Sequence, residues 1–139
     1  MRCVAGKQLK PIKRRFYTMK TTEIGQIGEN IAAEYLAAKG YRIVERNYRL
    51  GRGEIDIIAW LGEDVLVFVE VKTRASDGYG GPEDAVTAKK QDLLARTAGC
   101  YMESIDYEWA IRFDIVSVIW RNGQLFEIRH VEDAFFPGY

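Results

Sequence analysis

Apolar positions recur at helical spacing between residues 22 and 39, where Ile24, Ile27, Ile31, Tyr35 and Ala38 form one stripe. Thr21 or Thr22 can cap this first helix, and Gly40 stops it. Gly25, Gly28 and Ala32 adjoin the stripe, which predicts close packing against a sheet, and Glu29 falls at the edge of the buried face. Tyr41 to Tyr48 reads as a strand centred on Ile43 and Val44. A second helical stripe spans residues 84 to 103 through Thr87, Gln91, Leu94, Ala98 and Tyr101. Ile111, Phe113 and Ile115 then alternate with Arg112 and Asp114, as in a strand running to Trp120. Asn122-Gly123 is a strong hairpin turn, and Gln124 to His130 returns as another strand.

The densest strand signal lies between these elements. Residues 53 to 74 form two runs rich in Ile, Val and Phe around the polar turn Leu61-Gly62-Glu63-Asp64. Glu54, Asp56, Glu70 and Lys72 interrupt that apolar fabric. Desolvating a lone charge is expensive, so four charges inside a core hairpin need a reason. Side chains alternate along a strand, so Glu54 and Asp56 share one face of the first strand and Glu70 and Lys72 share one face of the second. A two-residue turn at Gly62-Glu63 would put the two acidic positions on opposite faces. A three- or five-residue turn, or a β-bulge, is therefore predicted, so that Asp56 and Glu70 meet. The element order is α-β-β-β-α-β-β, an α/β fold with helices packed on a sheet.

Two adjacent carboxylates repel, and a hard divalent cation relieves that repulsion. Mg²⁺ takes oxygen ligands, commonly one or two carboxylates with waters and a substrate phosphate. A lysine beside them can stabilise developing negative charge. Asp56 followed by Glu70-Val71-Lys72 is the pattern of the PD-(D/E)XK nuclease superfamily. The chain resembles one branch of it, the YraN-like bacterial family, small proteins related to the archaeal Holliday-junction resolvases. The resemblance runs from about residue 20 to the C-terminus. It rests on Gly28-Glu29, Ala33-Glu34-Tyr35-Leu36, Gly40-Tyr41-Arg42-Ile43, Asn47-Tyr48-Arg49, Gly53-Glu54-Ile55-Asp56, Phe68-Val69-Glu70-Val71-Lys72-Thr73-Arg74 and Lys89-Lys90-Gln91. The aspartate-and-ExK spacing alone is a weak signal; the long string around Glu70 together with Gly-Glu-Ile-Asp is specific. Ile55 stands where the superfamily's leading proline would be.

The resemblance implies a restriction-endonuclease-like core, a mixed five-stranded sheet flanked by helices. It also implies a Mg²⁺- or Mn²⁺-dependent endonuclease acting on DNA, branched or otherwise structured DNA among its substrates. Asp56, Glu70 and Glu54 are the candidate metal ligands, Lys72 would position water or stabilise the phosphoryl transition state, and Glu29 and Gln91 match site positions. Resolvase relatives dimerise, so a homodimer is a further expectation. Two other readings compete. One is a structural ion-pair cluster in which Lys72 and Arg74 neutralise the acids. The other is a non-catalytic nucleic-acid-binding or protein-interaction module that kept the fold. No Ser-His or Cys-His arrangement offers a covalent route.

Charge distribution sharpens the choice of partner. The chain is neutral overall, but residues 1–22 carry seven basic and no acidic residues, leaving 13 basic and 20 acidic residues beyond. An acidic domain grips phosphates poorly except through a local patch, here Lys39, Arg42, Arg46, Arg49 and Arg52. Arg52, Arg74, Lys89 and Lys90 are candidate phosphate contacts. Tyr79, in the Gly-rich loop Ser76 to Pro82, can stack on a base. Residues 1–18 lack periodicity and read as a disordered basic arm; Met19 is an alternative start, with residues 19–139 a single domain. Cys3 and Cys100 make no metal or disulfide pattern. His130, the only histidine, reads as a surface residue near the end of a strand. Phe135-Phe136-Pro137 either tucks against the domain or offers an apolar contact. No apolar run reaches the roughly 20 residues of a membrane span, and no secretory signal is evident, so a cytoplasmic, membrane-free protein is expected.

Overall fold

The computed structural model describes residues 21–75 and 86–136. The expected basic arm and the loop carrying Tyr79 lie outside them. The elements run α1 (Thr21–Ala38), β1 (Tyr41–Leu50), β2 (Gly53–Leu61), β3 (Val65–Ala75), α2 (Ala88–Ser104), β4 (Ile111–Arg121) and β5 (Gln124–Val131). This is the order read from the sequence. The five strands form one sheet in the order β1-β2-β3-β4-β5. Neighbours are antiparallel except β3 and β4, which are parallel, so the sheet is mixed as expected. A parallel pair cannot close through a tight turn, and α2 lies in the crossover between β3 and β4.

The helices cover opposite faces. Ala32, Ala33 and Leu36 of α1 pack on Ile57, Ala59, Val67, Val69, Val116 and Val118. Leu94, Ala98 and Tyr101 of α2 pack on Ile55, Ile58, Leu66, Phe68, Phe113 and Ile115. β3 is therefore buried on both sides, which explains its unbroken Val-Leu-Val-Phe-Val run. Each such side chain taken fully out of water stabilises the fold by about 1.5–3 kcal/mol.

Turn chemistry follows the residues. Gly40 adopts φ +99° and ends α1, its N–H donating to the Ala37 carbonyl. Asn122 and Gly123 both take positive φ, and Arg121 pairs with Gln124 across that two-residue turn. α2 starts later than the pattern suggests, at Ala88, because the Thr87 hydroxyl accepts from the Lys90 N–H as an N-cap.

Three expectations shift. The buried face of α1 centres on Gly28, Glu29, Ala32, Ala33 and Leu36, while Ile24, Ile27, Ile31 and Tyr35 form its rim and Ala38 is exposed. Glu29 is thus at the centre of that face rather than its edge. Gly28 lies so close to Thr73 that a β-carbon would collide with its hydroxyl, which lets the helix sit down on β3. The C-terminal aromatics divide: Phe135 stacks on Phe113 at 5.3 Å, whereas Phe136 is 66% exposed.

His130 is the largest departure. Its side chain is 2% exposed rather than on the surface. Nε2 lies 2.7 Å from Asp114 Oδ2, and Lys39 Nζ lies 2.9 Å from Nδ1. A lysine ammonium can only donate, so Nδ1 accepts and Nε2–H donates to the aspartate. Asp114, with no exposure, also accepts from Arg112 Nε and Nη2 at 2.8 Å and from the Asp133 N–H at 3.0 Å. Arg112 in turn donates to the Tyr41 hydroxyl. Burial pushes the Asp114 carboxyl up, but these donors outweigh it and hold it below its ordinary range.

Candidate functional site

The β2–β3 turn decides whether the acids meet. Leu61 pairs with Val65, leaving Gly62-Glu63-Asp64 as a three-residue turn, one of the predicted solutions. The ladder runs to Ile57–Val69, and the same register places Asp56 opposite Glu70. There a side chain takes over from the backbone: the Val71 N–H donates to Asp56 Oδ2 at 2.7 Å.

On the α1 side a cleft of about 430 Å³ is bordered by Glu29, Asn47, Arg49, Glu54, Asp56 and Thr73, among others. On the α2 side a smaller cleft of about 190 Å³ is lined by Arg52, Glu54, Asp56, Glu70, Lys90, Leu93 and Leu94. Glu54 and Asp56 border both.

The electrostatics are those of crowded acids. Burial, then the Glu70 charge, push the Asp56 carboxyl up to about 7. The Val71 N–H opposes this, and Glu29 and Glu54 add to it. Glu70 is 6% exposed and accepts two ammonium groups on Oε2, Lys72 Nζ at 3.3 Å and Lys90 Nζ at 2.6 Å. Burial pulls the Lys72 pKa down, and neighbouring Lys90 pulls the same way against the attraction of Glu70. For Lys90, burial is outweighed by the bond to Glu70, and its pKa rises.

Glu29 is held from β1. Its Oε1 accepts from Arg46 Nη2 at 3.0 Å and from Asn47 Nδ2 at 2.8 Å. Asn47 sits in the strand with φ +53°, between the Arg46–Ile57 and Tyr48–Ile55 pairs of β1–β2. Left-handed backbone in a non-glycine residue is costly, and Asn tolerates it best. Arg46 also donates to Asn30 at 2.6 Å.

The residues singled out from sequence divide accordingly. Asp56, Glu70, Lys72, Glu54, Arg52 and Lys90 come together around the hairpin, and Glu29 faces the same acids from α1. Glu54 is turned to Arg49 at 3.4 Å. Gln91 does not reach the strand; its Nε2 donates to the Val86 carbonyl at 3.1 Å. Lys90, one residue earlier and on a different face of the helix, takes the place beside Glu70. Lys89 is exposed and Arg74 is half-buried near the end of β3. Two participants were not apparent in the sequence: Arg46 and Asn47 as partners of Glu29. Ser117 pairs with Lys72 in register, and its buried hydroxyl has no hydrogen-bond partner among the described residues. An Asn inside a predicted strand was the one available signal, since strands disfavour it.

Among the described residues no three His, Cys, Asp or Glu side chains form a ready metal cage. Asp56 and Glu70 offer hard oxygen donors on facing strands, and Glu54 borders the same clefts, donors of the kind that a hard divalent cation takes. Among the described residues no helix is long and apolar enough to cross a membrane.

Fold and site define a mixed α/β protein with an acid-and-lysine cluster where its central hairpin opens. The chain belongs to the family described as Uncharacterised protein family UPF0102, whose model matches residues 28–118. A UPF0102 protein of Chlorobaculum tepidum is 51% identical over 121 residues, covering 83% of this chain and 93% of that protein. A UPF0102 protein of Alkaliphilus oremlandii is 48% identical over 116 residues, covering 81% and 97%. One from Bacteroides thetaiotaomicron is 44% identical over 115 residues, covering 83% and 93%.

Proposed function

We propose that this protein is a metal-dependent phosphodiesterase of the PD-(D/E)XK type, an endonuclease acting on DNA, with branched or otherwise structured DNA as the favoured substrate. The observation that carries the reading is the β2–β3 register, which sets Asp56 against Glu70 with Lys72 bridged to Glu70 at 3.3 Å. Asp56 and Glu70 would hold Mg²⁺ or Mn²⁺. Bound there, the cation supplies positive charge to a phosphate oxygen and lowers the pKa of a water.

The chain's own groups do the rest. Lys72, kept near the acids by Glu70, stabilises negative charge developing on the phosphate. Burial already eases proton loss from its ammonium. Arg52 stands at the tip of the two-residue β1–β2 turn and lines the smaller cleft, where it meets a phosphate. Glu29, fixed by Arg46 and Asn47, keeps negative charge against Asp56 from the helix side. A homodimer acting on a symmetric junction is part of the same proposal.

A non-catalytic binding module is the second reading, favoured by the way two lysines already neutralise Glu70. Cleavage of labelled duplex, single-stranded, flap and four-way-junction DNA separates the two. Wild type, Asp56→Asn and Lys72→Ala are assayed with Mg²⁺, Mn²⁺ or EDTA. Metal-dependent cutting by wild type, lost in both variants, is the expected result. DNA binding that survives EDTA without any cutting overturns the enzyme in favour of the module.

A further inference from the structure

One carboxylate oxygen, Glu70 Oε2, receives two ammonium groups. They are not equivalent. Lys72 stands on the central strand with its side chain 21% exposed and lies 3.3 Å away. Lys90 reaches over from the first turn of α2, is 42% exposed, and makes the shorter contact at 2.6 Å. It enters the smaller cleft beside Glu54 and Asp56, where its charge is felt by Asp56 as well as Glu70. Lys90 Nζ stands on Glu70 Oε2 and acts on Asp56 as well, so its charge opposes a cation shared by the two carboxylates. Both have flexible stems, but Lys90 is the more exposed and reaches in from the helix rather than from the central strand, so it has more room to move.

We propose that Lys90 is the resident counter-ion of the Asp56–Glu70 pair. Its ammonium neutralises the acids in the metal-free protein and must swing off Glu70 before a divalent cation is held there. The inference rests on the reading of Asp56 and Glu70 as a metal-holding pair. It adds a coupling: the displaced ammonium stays at the mouth of the cleft, placed to meet an anionic phosphate. Metal loading and phosphate capture would then be linked through one side chain.

The test is calorimetric titration of Mn²⁺ into the metal-stripped full chain, using wild type, Lys90→Met, Lys90→Arg and Asp56→Asn, with melting curves of each. Removing a competing positive charge a few ångströms from the cation should tighten Mn²⁺ binding by about tenfold in Lys90→Met. Lys90→Arg keeps the charge and should stay within about twofold of wild type. Asp56→Asn should not bind. Without metal, Lys90→Met should melt below wild type, and saturating Mn²⁺ should close the gap. Equal or weaker affinity in Lys90→Met overturns the counter-ion role while leaving the metal-holding pair intact. Absence of binding in both wild type and Lys90→Met overturns the pair itself, and the counter-ion role with it.

Discussion

The backbone N–H of Val71 donates to Asp56 Oδ2 at 2.7 Å, and this bond stands where the next rung of the β2–β3 ladder would be. It ties the aspartate of one strand to the residue between Glu70 and Lys72 on the other. It holds the Asp56 carboxyl down, and burial and three acids act against it. Asp114, at the other end of the α1 layer, accepts four hydrogen bonds and is held below its ordinary range. A half-buried and a fully buried aspartate in one sheet thus have opposite pH signatures.

For Asp56 the folded pKa, about 7, lies above the ordinary 3.8. The native state holds the extra proton between those values, so stability falls as pH rises through that window. The ceiling on the loss is about 4 kcal/mol. Asp56→Asn keeps an acceptor for Val71 and removes the charge. Urea denaturation without metal should find it more stable than wild type at pH 8 by about 2–4 kcal/mol, with the gap closing toward pH 5. A variant that is destabilised at pH 8 would contradict this.

For Asp114 the sign is reversed. A depressed folded pKa contributes stability above the unfolded value and loses it as pH falls through the folded one. Asp114→Asn leaves the Arg112 guanidinium without its carboxylate, at a cost of about 3 kcal/mol at pH 7. Denaturation curves should show that cost shrinking below pH 4, where wild type begins to protonate.

Asn47 separates backbone from side chain. Asn47→Gly accepts φ +53° freely but loses the bond to Glu29, whereas Asn47→Ala loses the bond and meets strain as well. Asn47→Ala should therefore be less stable than Asn47→Gly by about 1 kcal/mol, reversing the usual order of those residues in a strand. Equilibrium unfolding of both variants measures the difference.

Much of the architecture was legible because short-range rules set it. Parity alone required the turn after Leu61 to be other than two residues, and the register agrees. Asn122-Gly123 and Gly40 declared their turns by backbone preference. Faces were read less well. The stripe on α1 was rotated by about one residue, since Gly28 and Glu29 sit under the helix where a hydrophobic count cannot see them. On α2 the same ambiguity favoured Gln91 over Lys90; stepping back four from buried Leu94 would have reached Lys90. His130 was misread because its partners come from afar, Lys39 lying 91 residues away in sequence. A local pattern carries no information on such distances, and the same holds for Arg46 and Asn47 on Glu29.

The parallel β3–β4 pairing divides the chain's assembly in time. β1, β2 and β3 close on one another through two- and three-residue turns, and β4 and β5 through a two-residue turn, so each piece can zip locally. The β3–β4 contact spans the α2 crossover and carries the larger loop-closure cost. It should therefore be the seam that is sealed last. Folding and unfolding rates should show this: Ile58→Val, inside the first piece, should slow folding, while Val118→Ala, across the seam, should chiefly speed unfolding. Because Lys72 and Ser117 are register partners across that seam, the strand that carries Lys72 gains its second neighbour only when the two pieces dock.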